Sequence, residues 1–461
     1  MKKIISSILA VALLLALCLT CFAGCGGGNQ AIEFVMPENG FDTSKPVTIK
    51  FYHMLGAALR EIMDKAIADF NEIYPNVTIE HASYGDYDGV LNQIKSEITV
   101  GGQPNLAYCY PDHVAFYNTS GAVQPLDVFL NSQYGFSEED KANLGNKFFN
   151  EGRVFGDGQT TYTMPVMRST EVLFYNKTFF TKNNLTPPTT WEDMEQLCKD
   201  IRAIKSDIIP LGYDSEANWF ITMCEQYGSP YTSSTGENFL FDNEVNRGFV
   251  KTFNNWYQNK LVTTKALNGG AYTSNLFKEQ KIMMCIGSTG GSTYQMADQT
   301  NGVSEFEVGI VPIPQVDPAK PKVISQGPSI CIFKDADPQE VLASWLFAKF
   351  LVTNVNFQAR VSMNNGYSPV NQAVKDNEVY AEFLADKTNV PAQAIAVALQ
   401  EEQRGAFYFS PAFSGSSVAR EQVGLLMQAC MGSTKTGSEL DTAIANEFKK
   451  AVAECKYQSG Q

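Results

Sequence analysis

Apolar and polar residues near the start of the globular region predict strands and helices in short succession. Val47-Thr-Ile-Lys-Phe51 alternates as a half-buried strand does, and Val77-Thr-Ile79 begins a second strand. Between them, apolar residues recur at helical spacing from Leu59 to Ile73, and Tyr74-Pro75-Asn76 ends that helix. A further helix has apolar positions from Leu91 to Ile98. Repeated strand-helix units predict an open, parallel α/β sheet.

Two tyrosine-bearing segments follow the predicted strands of this sheet. Tyr87 lies in the polar loop 82–89, and Tyr110-Pro111-Asp112 comes later in the same region. Ligands of open α/β sheets bind in the crevice beyond the carboxyl ends of the strands. Both segments are therefore expected near the mouth of a cleft.

The stretch Tyr162–Asn176 predicts a strand on which the chain passes from one lobe to another. Pro165 suits the entry of a strand because it has no N–H for a sheet ladder, and Val172 to Tyr175 supply a β-prone apolar run. Arg168-Ser169-Thr170 lies between them, and such groups orient a small ligand in a cleft. The alternative is an ordinary edge strand with solvated polar residues.

Helix starts and a second crossing are predicted further along the chain. Thr190 with Asp193 forms a variant capping box that opens a helix at Trp191, and Asp337-Pro338 opens another. The segment 306–314 is apolar and proline-bounded, which favours a return crossing near Pro312.

Composition limits the classes of partner. A chain of 461 residues with 44% hydrophobic residues implies two or three domains with sizeable cores. The formal net charge is −14, and it becomes −16 without residues 1–24, which contain Lys2 and Lys3. This balance disfavours nucleic acid and anionic lipid as main partners.

The N-terminus has the layout of a secretory signal. Residues 1–24 have a basic start, an apolar run and a small-residue end before Cys25. Phe22-Ala23-Gly24-Cys25 resembles a bacterial lipobox with Phe22 in place of the usual leucine, so Cys25 is the expected lipidation site. Plain cleavage and release is the alternative. Residues 25–45 then form an expected flexible tether that reaches roughly 25 Å.

Neither the cysteines nor the histidines predict a metal or redox site. The chain has 10 cysteines, none spaced as CxxC, and those with apolar neighbours such as Cys285 and Cys331 are expected to be buried thiols. The three histidines are His53, His81 and His113, too dispersed for a zinc site by spacing. We expect no metal and no cofactor.

Catalytic motifs are incomplete. Lys435-Thr436-Gly437 resembles one element of penicillin-interacting serine enzymes, but the partner Ser-x-x-Lys and Ser-Asp-Asn elements are missing from the sequence. Hydrolase, metalloprotease and P-loop signatures are also missing. The acidic runs 138–140 and 401–402 are more typical of a solvated face than of a glycosidase pair. A catalytic function is therefore less favoured than binding, and a surface polysaccharide-degrading enzyme is its most reasonable form.

Several segments together resemble one family. Met164-Pro165 followed by Val172-Leu-Phe-Tyr-Asn-Lys177 is similar to the crossing segment of the extracellular solute-binding proteins of ABC importers, family 1. Further segments follow in that family's order: Asn71–Val77, Gly102–Asn105, Thr190–Asp193, Met283-Met284 before a Gly/Ser loop, and Gly366–Val370. The resemblance spans about residues 46–450.

The resemblance implies a fold, a domain division and a cellular role. The fold is an α/β, two-lobed periplasmic-binding-protein-like fold of type II, in which each lobe is an open mixed sheet flanked by helices and the ligand cleft lies between the lobes. Lobe 1 would comprise residues 46–164 and 311–353, and lobe 2 residues 165–310 and 354–461. The implied protein is an extracytoplasmic, lipid-anchored, monomeric receptor that delivers a small solute to membrane permease subunits and performs no catalysis.

Within that family, the branch that binds glycerol-3-phosphate and glycerophosphodiesters is the most similar. Its motifs match Phe51-Tyr-His53, Gly85–Asp88, Ser169-Thr170 and Thr190-Trp191. The implied ligand-binding residues are Tyr87, Asp112, Arg168, Ser169, Trp191, Ser288, Thr289, Gly327 and Tyr367. Tyr110-Pro111-Asp112 replaces the branch's glutamate, and its C-terminal phosphate-clamping arginine is not found in the segment 408–414.

The nature of the ligand follows from the charge near these residues. Arg168 is the one obvious guanidinium beside the expected pocket, and a buried phosphate needs cationic or backbone donors. A neutral mono- or oligosaccharide, or a polyol, stacked on Trp191 and Tyr87 is therefore expected. Glycerol-3-phosphate or a glycerophosphodiester is the alternative.

Overall fold

The structure, a computed structural model, describes residues 33–156, 158–300 and 303–460. The signal sequence predicted for residues 1–24, Cys25 and the glycine run after it lie outside the described residues. Within these ranges, no helix is both long enough and apolar enough to cross a membrane.

The described ranges contain fifteen strands. In chain order they are β1 (Val47–His53), β2 (Val77–Ser83), β3 (Leu106–Cys109), β4 (Met164–Pro165), β5 (Met167–Asn176), β6 (Leu211–Tyr213), β7 (Val262–Thr263), β8 (Met284–Ser288), β9 (Gln299–Thr300), β10 (Val303–Ser304), β11 (Val308–Pro312), β12 (Val323–Gln326), β13 (Ser329–Ile332), β14 (Ser368–Pro369) and β15 (Phe407–Tyr408).

The same ranges contain sixteen α-helices. They are α1 (Ala57–Ile73), α2 (Tyr87–Ile98), α3 (Pro111–Tyr117), α4 (Asp127–Leu130), α5 (Glu138–Glu151), α6 (Lys177–Lys182), α7 (Trp191–Ile204), α8 (Glu216–Tyr227), α9 (Glu244–Gln258), α10 (Thr273–Lys278), α11 (Pro338–Thr353), α12 (Val355–Asn365), α13 (Glu378–Ala385), α14 (Val390–Gln403), α15 (Ser416–Gly432) and α16 (Gly437–Gln458). The predicted starts of α7 and α11 are confirmed, with Thr190 and Asp337 as N-caps.

Two mixed sheets form the two lobes. The first has five strands in the order β2-β1-β3-β13-β4, with β1 parallel to β2 and β3, and β13 antiparallel to β3 and β4. The second is built around β5, which pairs antiparallel with β8, β11, β12 and β14. The predicted parallel start of the sheet is confirmed for β1–β3, and the later strands make both sheets mixed.

The chain passes between the lobes at places that differ in part from the prediction. The first passage is at Val166, between β4 of the first sheet and β5 of the second. The return was predicted near residue 311, but β11 and β12 still pair with β5, so the chain returns at Gly327-Pro328. Residues 355–361 were assigned to lobe 2, whereas Phe357 and Val361 of α12 pack in the core of lobe 1.

Glycine is required at position 327 because any other residue would be strained in this backbone conformation. Its φ is +145°, and a Cβ there would lie 2.4 Å from the carbonyl oxygen of Met167. A side chain would therefore force this passage away from the passage at Val166.

The segment before β1 is packed against lobe 1, which corrects the prediction of a flexible tether up to residue 45. Phe34 lies against Phe129, with ring centroids 4.9 Å apart, and the Phe41 amide donates to the Tyr134 hydroxyl at 2.7 Å. Gln339 on α11 accepts from the Asp42 amide at 2.9 Å. Aromatic burial and these hydrogen bonds hold the part of the predicted tether from residue 34 onward.

Each lobe has its own core. In lobe 1, Trp345 of α11 stacks on Phe129 with centroids 5.1 Å apart, and its Nε1 donates to the carbonyl of Tyr134. In lobe 2, Trp219 and Trp256 are fully buried between β6, α8 and α9. The seven described cysteines are buried and unpaired, which confirms the prediction of buried thiols.

Candidate functional site

A cavity of about 700 Å³ lies between the two lobes. Lobe 1 lines it with the turn after β1 and with the start of α2, and lobe 2 lines it with β5, β8 and the start of α8. A second chamber of about 550 Å³ adjoins it and shares Asp86, Tyr87, Asp214 and Ser215 with it. The lobe 1 walls follow the carboxyl ends of β1 and β2, where open α/β sheets bind their ligands.

Tyr87 and Tyr110 form a stacked pair at the junction of the two chambers. Asp86 caps α2 by accepting a hydrogen bond from the Gly89 amide at 2.8 Å, which fixes Tyr87 at the first position of that helix. The rings of Tyr87 and Tyr110 have centroids 4.0 Å apart and an interplanar angle of 22°. The guanidinium carbon of Arg420 lies 6.0 Å from the Tyr110 ring. The tyrosines belong to lobe 1 and Arg420 to lobe 2, so this stack joins the lobes.

Arg420 on α15 is a half-buried cation with partners from both lobes. Its Nη2 donates to the Oδ1 of Asn218 on α8. Burial by itself lowers the pKa of Arg420, but the buried carboxylate of Asp112 and the surrounding phenols outweigh this, so that its pKa is raised. Arg420 therefore stays charged where lobe 1 and lobe 2 meet.

Glu171 is a buried carboxyl group in the middle of β5 that lines the larger cavity. It accepts hydrogen bonds from the Tyr213 hydroxyl and, at 2.7 Å, from Nδ2 of Asn218. Burial raises the pKa of Glu171 to about 7, although these two hydrogen bonds and the charge of Arg420 oppose the rise. The group therefore changes protonation near neutral pH, where it is able to donate or accept a hydrogen bond.

One buried polar atom along the larger cavity, the Oε1 of Gln295, lacks a partner in the described part of the chain. Native proteins satisfy nearly all buried polar groups, so such an atom indicates a position where a bound solute or water makes the hydrogen bond. Tyr367 closes the same wall, and its ring approaches Gly290 so closely that a Cβ there would lie 2.5 Å from it.

The structure brings some of the predicted site residues together. Tyr87, Ser288 and Tyr367 line the larger cavity, and Asp112 lines the adjoining chamber. Gly327 lies beside a small cavity of about 30 Å³ that Asp112 and Arg420 also line.

Three predicted residues are placed away from the cleft. Arg168 forms an ion pair with Glu151 and donates to the carbonyl of Met167 at 2.7 Å, and with Ser169 it lines a separate cavity of about 270 Å³. Thr289 is fully buried, and its Oγ1 accepts from the Thr170 amide at 3.3 Å. The polar atoms of these side chains already have protein partners, and the contacts of Arg168 also connect β5 with lobe 1.

Trp191 is the clearest correction. It is only 7% exposed and packs in the core of lobe 2 against Phe253 and Trp219, while its Nε1 donates to Gln226 at 2.8 Å. Trp191 lies on the same buried face of α7 as Met194 and Ile201, so the indole has no face available for a sugar.

The sequence reasoning missed Glu171, Asn218 and Arg420. Glu171 had a local signal, since a carboxylate beside the apolar run of a buried strand is rare unless it is used or paired. Asn218 and Arg420 had none, because their positions come from packing of α8 and α15. Arg420 is therefore the guanidinium beside the cleft, and the prediction that Arg168 has this place is wrong.

Comparison with known proteins agrees with this architecture. Residues 65–392 match the family model described as bacterial extracellular solute-binding protein. The chain belongs to this family.

The fold of this solute-binding protein is shared with solved structures of low sequence identity. An ABC substrate-binding protein of Listeria monocytogenes in complex with cycloalternan matches 90% of this chain and 100% of its own, with a TM-score of 0.73 and 17% identity. UgpB of Mycobacterium tuberculosis in complex with glycerophosphocholine matches 88% of this chain and 98% of its own, with a TM-score of 0.71 and 16% identity. The predicted two-lobed α/β fold is confirmed.

Sequence comparison supports the solute-binding role over a shorter stretch. The sn-glycerol-3-phosphate-binding periplasmic protein UgpB of Shigella dysenteriae is 27% identical over 160 residues, which is 34% of this chain and 36% of that relative. Together with the family model, this similarity supports a substrate-binding role outside the cytoplasm.

Proposed function

We propose that this protein binds a neutral carbohydrate or polyol, of up to oligosaccharide size, in the cleft between its lobes and delivers it to the permease of an ABC importer. The cleft itself carries this proposal. Its two adjoining chambers, of about 700 and 550 Å³, lie within the size range of small-molecule sites.

The walls of the larger cavity suit a polyhydroxylated solute. Four tyrosines line it, and aromatic faces pack against the C–H faces of sugars: Tyr87, Tyr272, Tyr294 and Tyr367. Glu171, Asn218, Gln295 and Gln326 provide carboxyl and amide groups on the same walls. Carboxyl and amide groups donate and accept in several directions, as a set of hydroxyls requires.

The charge of the larger cavity favours a neutral solute over a phosphate. Three acidic residues, Asp86, Glu171 and Asp214, line it, and the described residues lining it include no lysine or arginine. An anion in this chamber would meet carboxylates of the same sign without a cationic partner, which is costly in a desolvated site.

A phosphorylated ligand such as glycerol-3-phosphate or a glycerophosphodiester is the second candidate, and one observation favours it. Arg420 lines the smaller chamber and the cavity of about 30 Å³ beneath it. The Oγ atoms of Ser325 and Ser410 face that small cavity and lack partners within the described residues. A guanidinium with two hydroxyl groups is a suitable set of donors for a phosphate.

Calorimetry separates the two candidates. Mannotriose and glycerophosphocholine are titrated into the parent protein, Tyr87→Ala and Arg420→Gln, with Arg247→Gln as a control because Arg247 pairs with Asp242 in lobe 2. If a neutral ligand is right, mannotriose binds, Tyr87→Ala weakens binding by on the order of 1–2 kcal/mol through lost stacking, and salt has little effect. Tight binding of glycerophosphocholine alone, abolished by Arg420→Gln, would support the second candidate instead.

The proposal also covers the oligomeric state of the protein, its attachment to the membrane and its lack of catalysis. The protein acts as a monomer attached to the cell membrane through lipid on Cys25, and it performs no catalysis. Incubation with a polysaccharide followed by mass spectrometry tests the last point. Progressive shortening of the glycan would contradict it and favour the enzyme alternative.

A further inference from the structure

Two of the three histidines form a continuous chain of hydrogen bonds in lobe 1. His53 ends β1, and its Nδ1 accepts from the Leu55 amide at 3.2 Å. His53 Nε2 lies 2.7 Å from Nδ1 of His81 on β2. His81 Nε2 in turn lies 2.8 Å from Oδ1 of Asp64 on α1. This series of hydrogen bonds thus runs from the exposed carboxylate of Asp64 to the backbone amide of Leu55.

The direction of each hydrogen bond follows from its two ends. The Leu55 amide is a donor, so Nδ1 of His53 carries no proton, and a neutral His53 then holds its proton on Nε2. That proton is donated to Nδ1 of His81, which leaves the proton of His81 on Nε2, where the Asp64 carboxylate accepts it. Every donor faces an acceptor only while both imidazoles are neutral.

Leu55 belongs to the wall of the ligand cavity. Met54, Leu55, Gly56 and Leu59 line the cavity of about 700 Å³, and Gly56 is the N-cap of α1. The Leu55 carbonyl accepts from the Ser83 hydroxyl at 2.9 Å and from Arg60 at 3.1 Å. His53 holds the amide of the same residue, so both sides of this turn are fixed by side chains.

We propose that His81 and His53 form a proton-sensitive relay that loosens the Leu55 wall of the cleft, and so weakens solute binding, when the solution becomes acidic. The inference rests on the proposed function only for its effect on binding. A proton added to Nδ1 of His81 meets the N–H of His53 at 2.7 Å. His53 is then driven to the other tautomer, with its proton on Nδ1, where it opposes the Leu55 amide.

The surroundings direct the added proton to His81. The side chain of His81 is 17% exposed and pairs with Asp64, which is 63% exposed, so solvent reaches this end of the relay. His53 is fully buried, and burial together with the nearby His81 and Arg60 lowers its pKa to about 3, against a small opposing effect of Asp64. Tyr108 of β3 and Phe51 also face His53 and are neutral at these pH values.

Hydrogen exchange at Leu55 tests the relay without a ligand. Exchange of peptides that cover residues 52–59 is measured from pH 5 to pH 8 on the whole protein and corrected for the intrinsic pH dependence of amide exchange. Protection of the Leu55 amide should fall by about tenfold on acidification, which corresponds to one lost hydrogen bond of ordinary strength. Constant protection over this range would overturn the proposal.

Three variants identify the sensor. His81→Gln retains an oxygen that accepts from His53 but does not titrate, so its Leu55 protection should not depend on pH. Asp64→Asn keeps an acceptor for Nε2 of His81 but removes the carboxylate charge at this end of the relay, so its profile should differ from that of the parent protein. Asp69→Asn removes a charge one turn further along α1, where Asp69 pairs with Lys65, and should leave the parent profile unchanged. A pH-dependent profile in His81→Gln would also overturn the proposal.

The effect on the cleft is measured separately with mannotriose. Its affinity should decrease more between pH 7.5 and pH 5.5 in the parent protein than in His81→Gln, in which Glu171 still contributes its own pH dependence to the cavity. If mannotriose does not bind at either pH, the proposed function fails while the exchange experiment still decides the relay. If it binds with equal pH dependence in both proteins, the coupling to the cleft is wrong.

Discussion

Arg168 and Arg420 show that the partners of a side chain decide what it is able to bind. Arg168 already forms an ion pair with Glu151 and donates to backbone carbonyl groups, so a ligand would have to displace these partners. Arg420 pairs with an amide oxygen and lines the chamber of about 550 Å³ and the small cavity of about 30 Å³. Of the two arginines, Arg420 is therefore the one in a position to meet a solute.

Glu171 gives a prediction at the scale of one residue. Its pKa is about 7 in the folded protein and near 4.5 when unfolded, so the folded state binds more protons between these values and stability falls as pH rises through them. Glu171→Gln removes this loss. The stability of the variant relative to the parent should therefore increase by on the order of 3 kcal/mol between pH 4 and pH 8.

Denaturant unfolding at several pH values measures this difference. Glu439→Gln, at an exposed position on α16, is the matched control and should show almost no such trend. An equal trend in both variants, or none in Glu171→Gln, would show that Glu171 has no unusual pKa.

Helix α7 shows how an element assigns a residue to the core. Its capping box fixes the start of the helix at Trp191, and the inward positions that follow, such as Met194 and Ile201, continue the same buried face. A tryptophan on this face contributes to stability through burial, which is the role that its contacts with Phe253 and Trp219 support.

Trp191→Ala therefore separates stability from binding. We expect a loss of about 3–5 kcal/mol in the free energy of unfolding, because a large side chain leaves a cavity in the core of lobe 2. Mannotriose affinity at a temperature where the variant is folded should change little. Trp191→Phe should recover part of the stability. A large loss of mannotriose affinity in a variant that keeps the parent's stability would instead indicate that Trp191 contacts the ligand.

The whole molecule has two lobes joined by closely spaced passages at Val166 and Gly327-Pro328, which are linked by a hydrogen bond of 2.8 Å from the Val166 amide to the Pro328 carbonyl. Rotation of the lobes about such a junction opens and closes the cleft without disturbing either core. The stack of Tyr110 on Arg420 crosses the cleft, so it would part on opening.

Ligand should therefore compact the molecule. Small-angle X-ray scattering is expected to show a smaller radius of gyration with saturating ligand than without it, since a bound solute favours the closed arrangement of the lobes. Arg420→Gln should reduce the compaction if the stack supports closure. An identical radius with and without ligand would indicate one rigid body.

The attachment of the molecule gives a second prediction at this scale. Cys25→Ser should release the protein from the membrane fraction into the medium, because the hydroxyl is not diacylated. The packed segment from Phe34 onward should keep lobe 1 folded in the variant, and circular dichroism checks this. Retention of the variant on the membrane would contradict lipidation at Cys25.

The sequence by itself determined the elements and the family. Alternation and helical spacing identified β1, α1 and β2, and the caps identified α7 and α11. The order of the motifs predicted Tyr87, Ser288 and Tyr367 as ligand-binding residues, and all three line the larger cavity. These signals are local, because an element's period and its ends depend on neighbouring residues.

Only the tertiary structure decided which side chains meet in the cleft. Glu171, Asn218 and Arg420 come from β5, α8 and α15, and no local pattern relates positions so far apart in the chain. The same holds for the return passage at Gly327 and for the packing of Phe34 and Phe41 on lobe 1. The pairing of distant strands and the burial of distant faces set these contacts, and both depend on the whole fold.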